Sequence, residues 1–181
     1  MNIRRSLIVS AVAIAGIIGG GIYLYAPEIT LPASARESSR SVAAEAVFQA
    51  KFTDLTGKTQ PLAQWQGKVL IVNFWATWCP PCLAEIPVFI QMQKKYGKQG
   101  VQFVGIAIDQ KNKVQSYADE AGMNYPVLLG DLDGIDLARR TGNAQGGLPY
   151  TVVIDRSGNI VATQLGKLSH EKLEGIIKPL L

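Results

Sequence analysis

The 181-residue chain has only two cysteines and one histidine, which excludes a four-ligand structural zinc site and allows at most one disulfide. Charge is also scarce. Asp, Glu, Lys and Arg make up 18% of residues against 48% hydrophobic ones, which excludes intrinsic disorder and leaves ample material for a core. The net charge of +4 divides evenly, +2 in residues 1–40 and +2 in the rest, so no basic patch marks a nucleic-acid partner. No internal repeat or low-complexity block is present. Length and composition fit one domain plus an appendage.

That appendage is N-terminal. Arg4 and Arg5 precede 21 uncharged residues, Ser6–Ala26, rich in Leu, Ile, Val, Ala and Gly and closing on Tyr23 and Tyr25. At about 1.5 Å per helical residue the run spans a hydrocarbon core of roughly 30 Å. The arginines before it and Glu28 after it predict a cytoplasmic N-terminus, with the rest of the chain on the outer side. A cleaved signal peptide ending at Ala33-Ser34-Ala35 is the competing reading, but the run exceeds the usual 7–15-residue signal core. Either way the following domain reaches the same compartment. No cysteine near residue 30 offers a lipidation site. Gly16 and Gly20 form a G-x-x-x-G pair, more often a mark of small residues in a span than of dimerisation. The expected organisation is an anchor over 1–26, a linker over 27–45 rich in Pro, Ala and Ser, and a folded domain over 46–181.

Within the domain, Val47–Asp54 and Lys58–Leu62 are expected as short paired strands around Thr56-Gly57. Val69–Trp75 and Val101–Ile108 are continuous apolar, β-branched runs, as buried central strands require. A helical stretch follows Cys82 to about Tyr96, with Leu83, Ile86, Phe89 and Ile90 on one face and a kink at Pro87. Helices over Val114–Ala121 and Asp133–Arg140 flank a short strand, Pro126–Leu129. Tyr150–Asp155 and Ile160–Leu165 form a hairpin, and Ser169 caps a last helix. The expected fold is α/β, a mixed central sheet with helices on both faces.

The chemistry points to Cys79 and Cys82, three apart where a buried strand meets a helix. The helix start is expected to hold Cys79 near free N–H groups and the positive dipole end, favouring its thiolate, with Pro80 and Pro81 suited to the first turn. Cys82, one turn in, lies further from solvent. An outer thiol that attacks and an inner one that resolves is the arrangement thiol–disulfide exchange needs. A static disulfide would close only a tiny loop and gain little.

The segment Val72-Asn73-Phe74-Trp75-Ala76-Thr77-Trp78-Cys79-Pro80-Pro81-Cys82 resembles the active site of the thioredoxin superfamily, and most closely its membrane-anchored TlpA/ResA/DsbE group of periplasmic thiol–disulfide oxidoreductases. The resemblance extends from about Phe48 to the end and includes Gly147-Leu148-Pro149-Tyr150-Thr151-Val152-Val153-Ile154-Asp155. It implies a thioredoxin-like fold and no cofactor or metal beyond the redox-active Cys79–Cys82 pair. It also implies a reducing role, often in cytochrome c maturation, with protein substrates such as apocytochrome c and a membrane thiol-reductant as electron donor. By the same resemblance Pro149 is a cis-proline that, with Leu148, Trp78, Pro80 and Pro81, shapes the substrate groove. Glu85 is then a buried acid that takes the proton of Cys82. Asn73 departs from the aspartate of cytoplasmic thioredoxins and cannot titrate, which moves that duty to Glu85 or to water.

Alternatives within this fold are a disulfide oxidase or isomerase, and a thiol peroxidase. For the peroxidase, Thr77 stands two residues before Cys79, but the upstream proline is missing and every upstream arginine lies in residues 1–40. A copper chaperone would want cysteines four apart and a distal histidine, whereas His170 reads as a surface residue. Asp131-Leu132-Asp133-Gly134 starts like a calcium loop, but its twelfth position is Gly142, not Glu.

Overall fold

The structure, a computed structural model, describes residues 33–181, with side chains from residue 40. The expected membrane span over 6–26 lies outside the described residues. Among those described, no helix is long and apolar enough to cross a membrane.

The first helix corrects the expected linker. α1 runs Ala33–Gln49, so residues 33–45 are helical rather than a loose tether, and helix replaces the expected strand over 47–49. The cause lies in its second half. Ala43, Ala44 and Ala46 are strong helix formers, and the turn they build buries Ala44, Ala46 and Val47 against Phe52, Leu62 and Trp65. The chain then turns at Ala50 into β1 (Lys51–Asp54), which pairs with β2 (Thr59–Pro61) around Gly57.

β3 (Val69–Trp75) is buried along its whole length and sits near the centre of a seven-stranded sheet ordered β2-β1-β5-β4-β3-β6-β7. It lies parallel to β4 (Val101–Ala107), which lies parallel to β5 (Val127–Leu129). β6 (Tyr150–Ile154) and β7 (Ile160–Leu165) add antiparallel on the other side of β3. Alternate residues of β3 serve two cores. Leu70, Val72 and Phe74 pack towards α1 and α5 (Asp131–Arg140). Val69 and Ile71 pack with Phe89 and Met92 of α3 (Ile86–Tyr96) and with Leu173 and Ile177 of α6 (His170–Ile177). α4 (Lys111–Ala121) buries Val114 and Ala118 beside Trp75. The sheet therefore carries helices on both faces, as the alternation of strand and helix patterns predicts. Ser169 caps α6 as expected, its Oγ accepting from Lys172 N–H at 3.3 Å.

The long helix expected after the cysteines is broken. α2 is the single turn Pro80–Leu83, and α3 restarts at Ile86. Pro87 is the cause, acting one turn upstream of its own position. It has no N–H for Leu83 O, the partner four residues back. Tyr117 Oη approaches that carbonyl instead, at 3.5 Å.

Candidate active site

Cys79 and Cys82 form a disulfide at the C-terminal end of β3. Cys79 keeps 5% of its surface exposed and Cys82 none, so the first cysteine is the accessible one of the pair. Cys79 is the N-cap of α2, with Pro80 and Pro81 exposed in the first turn. The expected free N–H groups are not found there. Pro80 and Pro81 have none, and the N–H groups of Cys82 and Leu83 both donate to Cys79 O, at 3.0 and 3.1 Å. The helix they open is also one turn long, so its dipole at Cys79 is small.

Two loops frame the pair. Trp78, beside Cys79, is 63% exposed and offers an aromatic surface to a partner. Facing it in the fold is the Leu148–Pro149 peptide, which is cis, with Leu148 half-buried against the cluster that contains both cysteines. Trp78 and Leu148 share an apolar cavity of about 90 Å³ with Phe74, Ile108 and Ala138. Of the predicted groove residues, Trp78, Pro80 and Pro81 adjoin the cysteines along the chain, Leu148 packs against their cluster, and Pro149 follows it across the cis bond.

The break between α2 and α3 turns Glu85 inward. It precedes α3 and is fully buried, placed by the interrupted helix rather than by a continuous helical face. Its Oε1 accepts from Asn73 Nδ2 at 2.8 Å and its Oε2 from Leu168 N–H at 2.9 Å. Asn73 Nδ2 also reaches Thr151 Oγ1 at 3.1 Å across the β3–β6 pair. Burial pushes the Glu85 carboxyl up to about 7, although the Leu168 and Asn73 hydrogen bonds and the charge of Lys167 pull the other way. An acid near neutrality behind the inner cysteine can hold or release a proton at working pH.

Asp109 carries no predicted role, yet it holds the loop that presents Cys79. Thr77 N–H donates to its Oδ2 at 3.2 Å, and Thr77 Oγ1 donates to the same oxygen. Burial acts to raise the Asp109 carboxyl, but the bonds from Thr77 and from Gln110 N–H outweigh it and hold it below the ordinary value. With its hydroxyl engaged in this way, Thr77 is not presented to a peroxide. The signal that marks Asp109 is positional: an acid at the end of β4, beside the end of β3 in a parallel pair. Leu168 N–H has no sequence signal, because any non-proline residue supplies one. His170 is exposed at the start of α6, as expected of a surface residue.

Comparison with known proteins agrees with this geometry. The chain matches the redoxin family over residues 26–177. It is 33% identical over 129 residues to the thiol-disulfide oxidoreductase ResA of Bacillus thuringiensis (strain Al Hakam), covering 70% of this chain and 71% of that protein. A thiol:disulfide interchange protein of the thioredoxin family from Chlorobium tepidum TLS superposes with a TM-score of 0.66 at 36% identity, over 72% of this chain and 92% of that one. A secreted Mycobacterium tuberculosis disulfide oxidoreductase homologous to E. coli DsbE superposes with a TM-score of 0.63 at 28% identity, over 75% and 98%. A two-cysteine centre of this geometry, on a mixed sheet shared with these relatives, places the chain in the redoxin family as a TlpA/ResA/DsbE-like thiol–disulfide oxidoreductase acting on protein thiols and disulfides.

Proposed function

We propose that the protein is a reductant of protein disulfides on the outer side of a bacterial inner membrane, with apocytochrome c as a substrate and a membrane thiol-reductant as its electron donor. The Cys79 thiolate attacks one sulfur of a substrate disulfide. A Cys79–substrate mixed disulfide forms and the other substrate sulfur leaves as a thiolate, which takes a proton. Cys82 gives its proton to Glu85 and attacks Cys79 Sγ. The second substrate sulfur leaves as a thiolate, which takes a proton from water, and the Cys79–Cys82 disulfide closes. Substrate gains two electrons and the pair loses two, which the donor restores by the reverse exchange.

The observation that carries the reducing direction is the environment of Cys79. Strong oxidants of this chemistry hold a very stable outer thiolate, which favours their reduced form. Here the two prolines and the inward turn of the Cys82 and Leu83 N–H groups give the thiolate few donors. Glu85, when ionised, opposes a second negative charge at Cys82. Both effects favour the disulfide and so make the dithiol reducing. Equilibration with a thiol buffer of known potential tests this. A value near −270 mV, on the order of thioredoxin's, is expected, and one near about −120 mV would make the protein an oxidant.

The location rests on Arg4, Arg5 and the uncharged run Ser6–Ala26. Mass spectrometry of the native protein should find the anchor still attached. A mature N-terminus at Arg36 would replace the anchor by a cleaved leader and leave the domain in the same compartment.

A further inference from the structure

A cavity of about 410 Å³ opens between α1, the C-terminal end of α5 and the edge strand β7. Arg40 of α1 and Arg139 and Arg140 of α5 line it, with Ala43, Ile160 and Ala162 as an apolar wall. Among the described residues that line it there is no Asp or Glu. Asp136 stands 3.8 Å from Arg140, but both side chains are exposed and such a pair binds weakly. Arg40 and Arg139 form no salt bridge with any described residue.

The arginines reach this cavity for separate reasons. Arg40, Ala43 and Val47 fall at i, i+3 and i+7 on α1, the face whose Ala43 and Val47 pack on the core. Arg139 and Arg140 end α5, where the helix dipole favours cations. The dipole accounts for two arginines and not for a third from another helix. Nor do the arginines cap α5. Its last-turn carbonyls already accept from Thr141 Oγ1, which donates to Leu137 O and Ala138 O at 3.0 Å each, and from Gly142 N–H, which donates to Arg139 O at 3.1 Å. The guanidinium donors are left for a ligand.

Guanidinium groups from two elements, with no carboxylate on the lining, match an anion that presents several oxygens, and phosphate is the anion whose geometry takes them. At about 30 Å³ per water the cavity holds roughly a dozen waters, more than a bare ion fills, which leaves room for an organic substituent against the apolar wall. We propose that Arg40, Arg139 and Arg140 form a binding site for a phosphate ester, either the head group of an anionic lipid or a soluble ester, and that the bound ligand ties α1 to α5. The lipid source is favoured by sequence: the uncharged run ends at Ala26, fourteen residues before Arg40. That source rests on the membrane reading, and the site itself does not. It is also separate from the cysteine pair. In the sheet register Ile160 stands level with Ile154 and Leu70, where β3 begins, and the cysteines follow the other end of β3.

The test uses the full chain in non-ionic detergent and the arginine reagent phenylglyoxal, with modified sites mapped by mass spectrometry over time. The probes are inorganic phosphate and glycerol 3-phosphate, each against sodium chloride of matched ionic strength. A further arm places the chain in phosphatidylcholine discs with and without phosphatidylglycerol. Modification of Arg40, Arg139 and Arg140 should slow together and saturably, and glycerol 3-phosphate should act at lower concentration than phosphate. Arg156, whose guanidinium donates to the Gln99, Leu180 and Leu181 carbonyls, is the internal control and should not respond. Arg40→Gln should raise the concentration that half-protects Arg139 and Arg140 about fivefold, the upper end for one exposed ion pair. Its reaction with a protein disulfide should match wild type. Protection by the soluble ester assigns a soluble ligand, and protection only in phosphatidylglycerol discs assigns the lipid. No protection beyond sodium chloride in any arm, an equal response at Arg156, or protection of Arg139 and Arg140 unchanged in Arg40→Gln would overturn the inference. The wild-type arms decide the matter even where the variant folds poorly.

Discussion

Cys79→Ser should reduce turnover of a protein disulfide to the uncatalysed background, and Cys82→Ala should instead stall the reaction halfway, accumulating one mixed disulfide per protein. The asymmetry follows from position. Cys79 is the cysteine with surface left to a partner, flanked by exposed Trp78 and Pro80, and Cys82 is fully buried behind it. A serine hydroxyl is almost wholly protonated at neutral pH and has no adjacent base here to activate it. With Cys82 gone, the Cys79–substrate bond has no internal thiolate to break it, and non-reducing electrophoresis should show the adduct. Cys79→Ala should form none, because no substrate sulfur reaches Cys82. Adducts formed by Cys79→Ala but not by Cys82→Ala would reverse the two roles.

Glu85→Gln should slow release of substrate from the mixed disulfide by about 10²-fold, the low end of the range for general acid–base help, since thiolates are already good nucleophiles. It should also remove the inflection near pH 7 from the profile of that step, because the substituted amide cannot titrate. The replacement fits the site. The new side-chain carbonyl can still accept from Leu168 N–H, and Asn73 can turn its unpaired Oδ1 to the new NH₂ group. Stability gives a second reading of the same group. The Glu85 carboxyl rises from 4.5 to about 7 on folding, so its contribution is fully present below about pH 4.5 and is lost as pH climbs through 7. At 1.36 kcal/mol per unit the loss is about 3 kcal/mol. Denaturant titrations of the oxidised protein should therefore show wild type falling relative to Glu85→Gln between pH 4.5 and 7.5, and level afterwards. Parallel curves would mean that Glu85 is solvated.

Much of this is readable from residues because it depends on local pattern. Val69–Trp75 and Val101–Ala107 announce buried strands by being apolar at all but one position each, Asn73 and Gln102, and Cys79 with Cys82 need only their spacing and junction. α1 is not readable as more than a linker. Its first half is Ser- and Arg-rich, and the burial of Ala44 and Val47 depends on Leu62 and Trp65, distant in sequence. Pro87 promises a kink, but the consequence that matters is that the break swings Glu85 into the core. Asp109 reaches the site only through the parallel register of β3 and β4, which no local signal discloses. The expected N–H donors around Cys79 are absent for a local reason: a helix start supplies them only where its first residues possess them, and here those residues are prolines.

The central claim is that Cys79 is the outward, attacking thiol and Cys82 the shielded one that resolves. Alkylation of the fully reduced protein near neutral pH, with labelled sites mapped by mass spectrometry over time, tests it most directly. Cys79 should be modified well before Cys82, with Cys82 labelled at an appreciable rate only after unfolding. Equal labelling, or labelling of Cys82 first, would contradict the account.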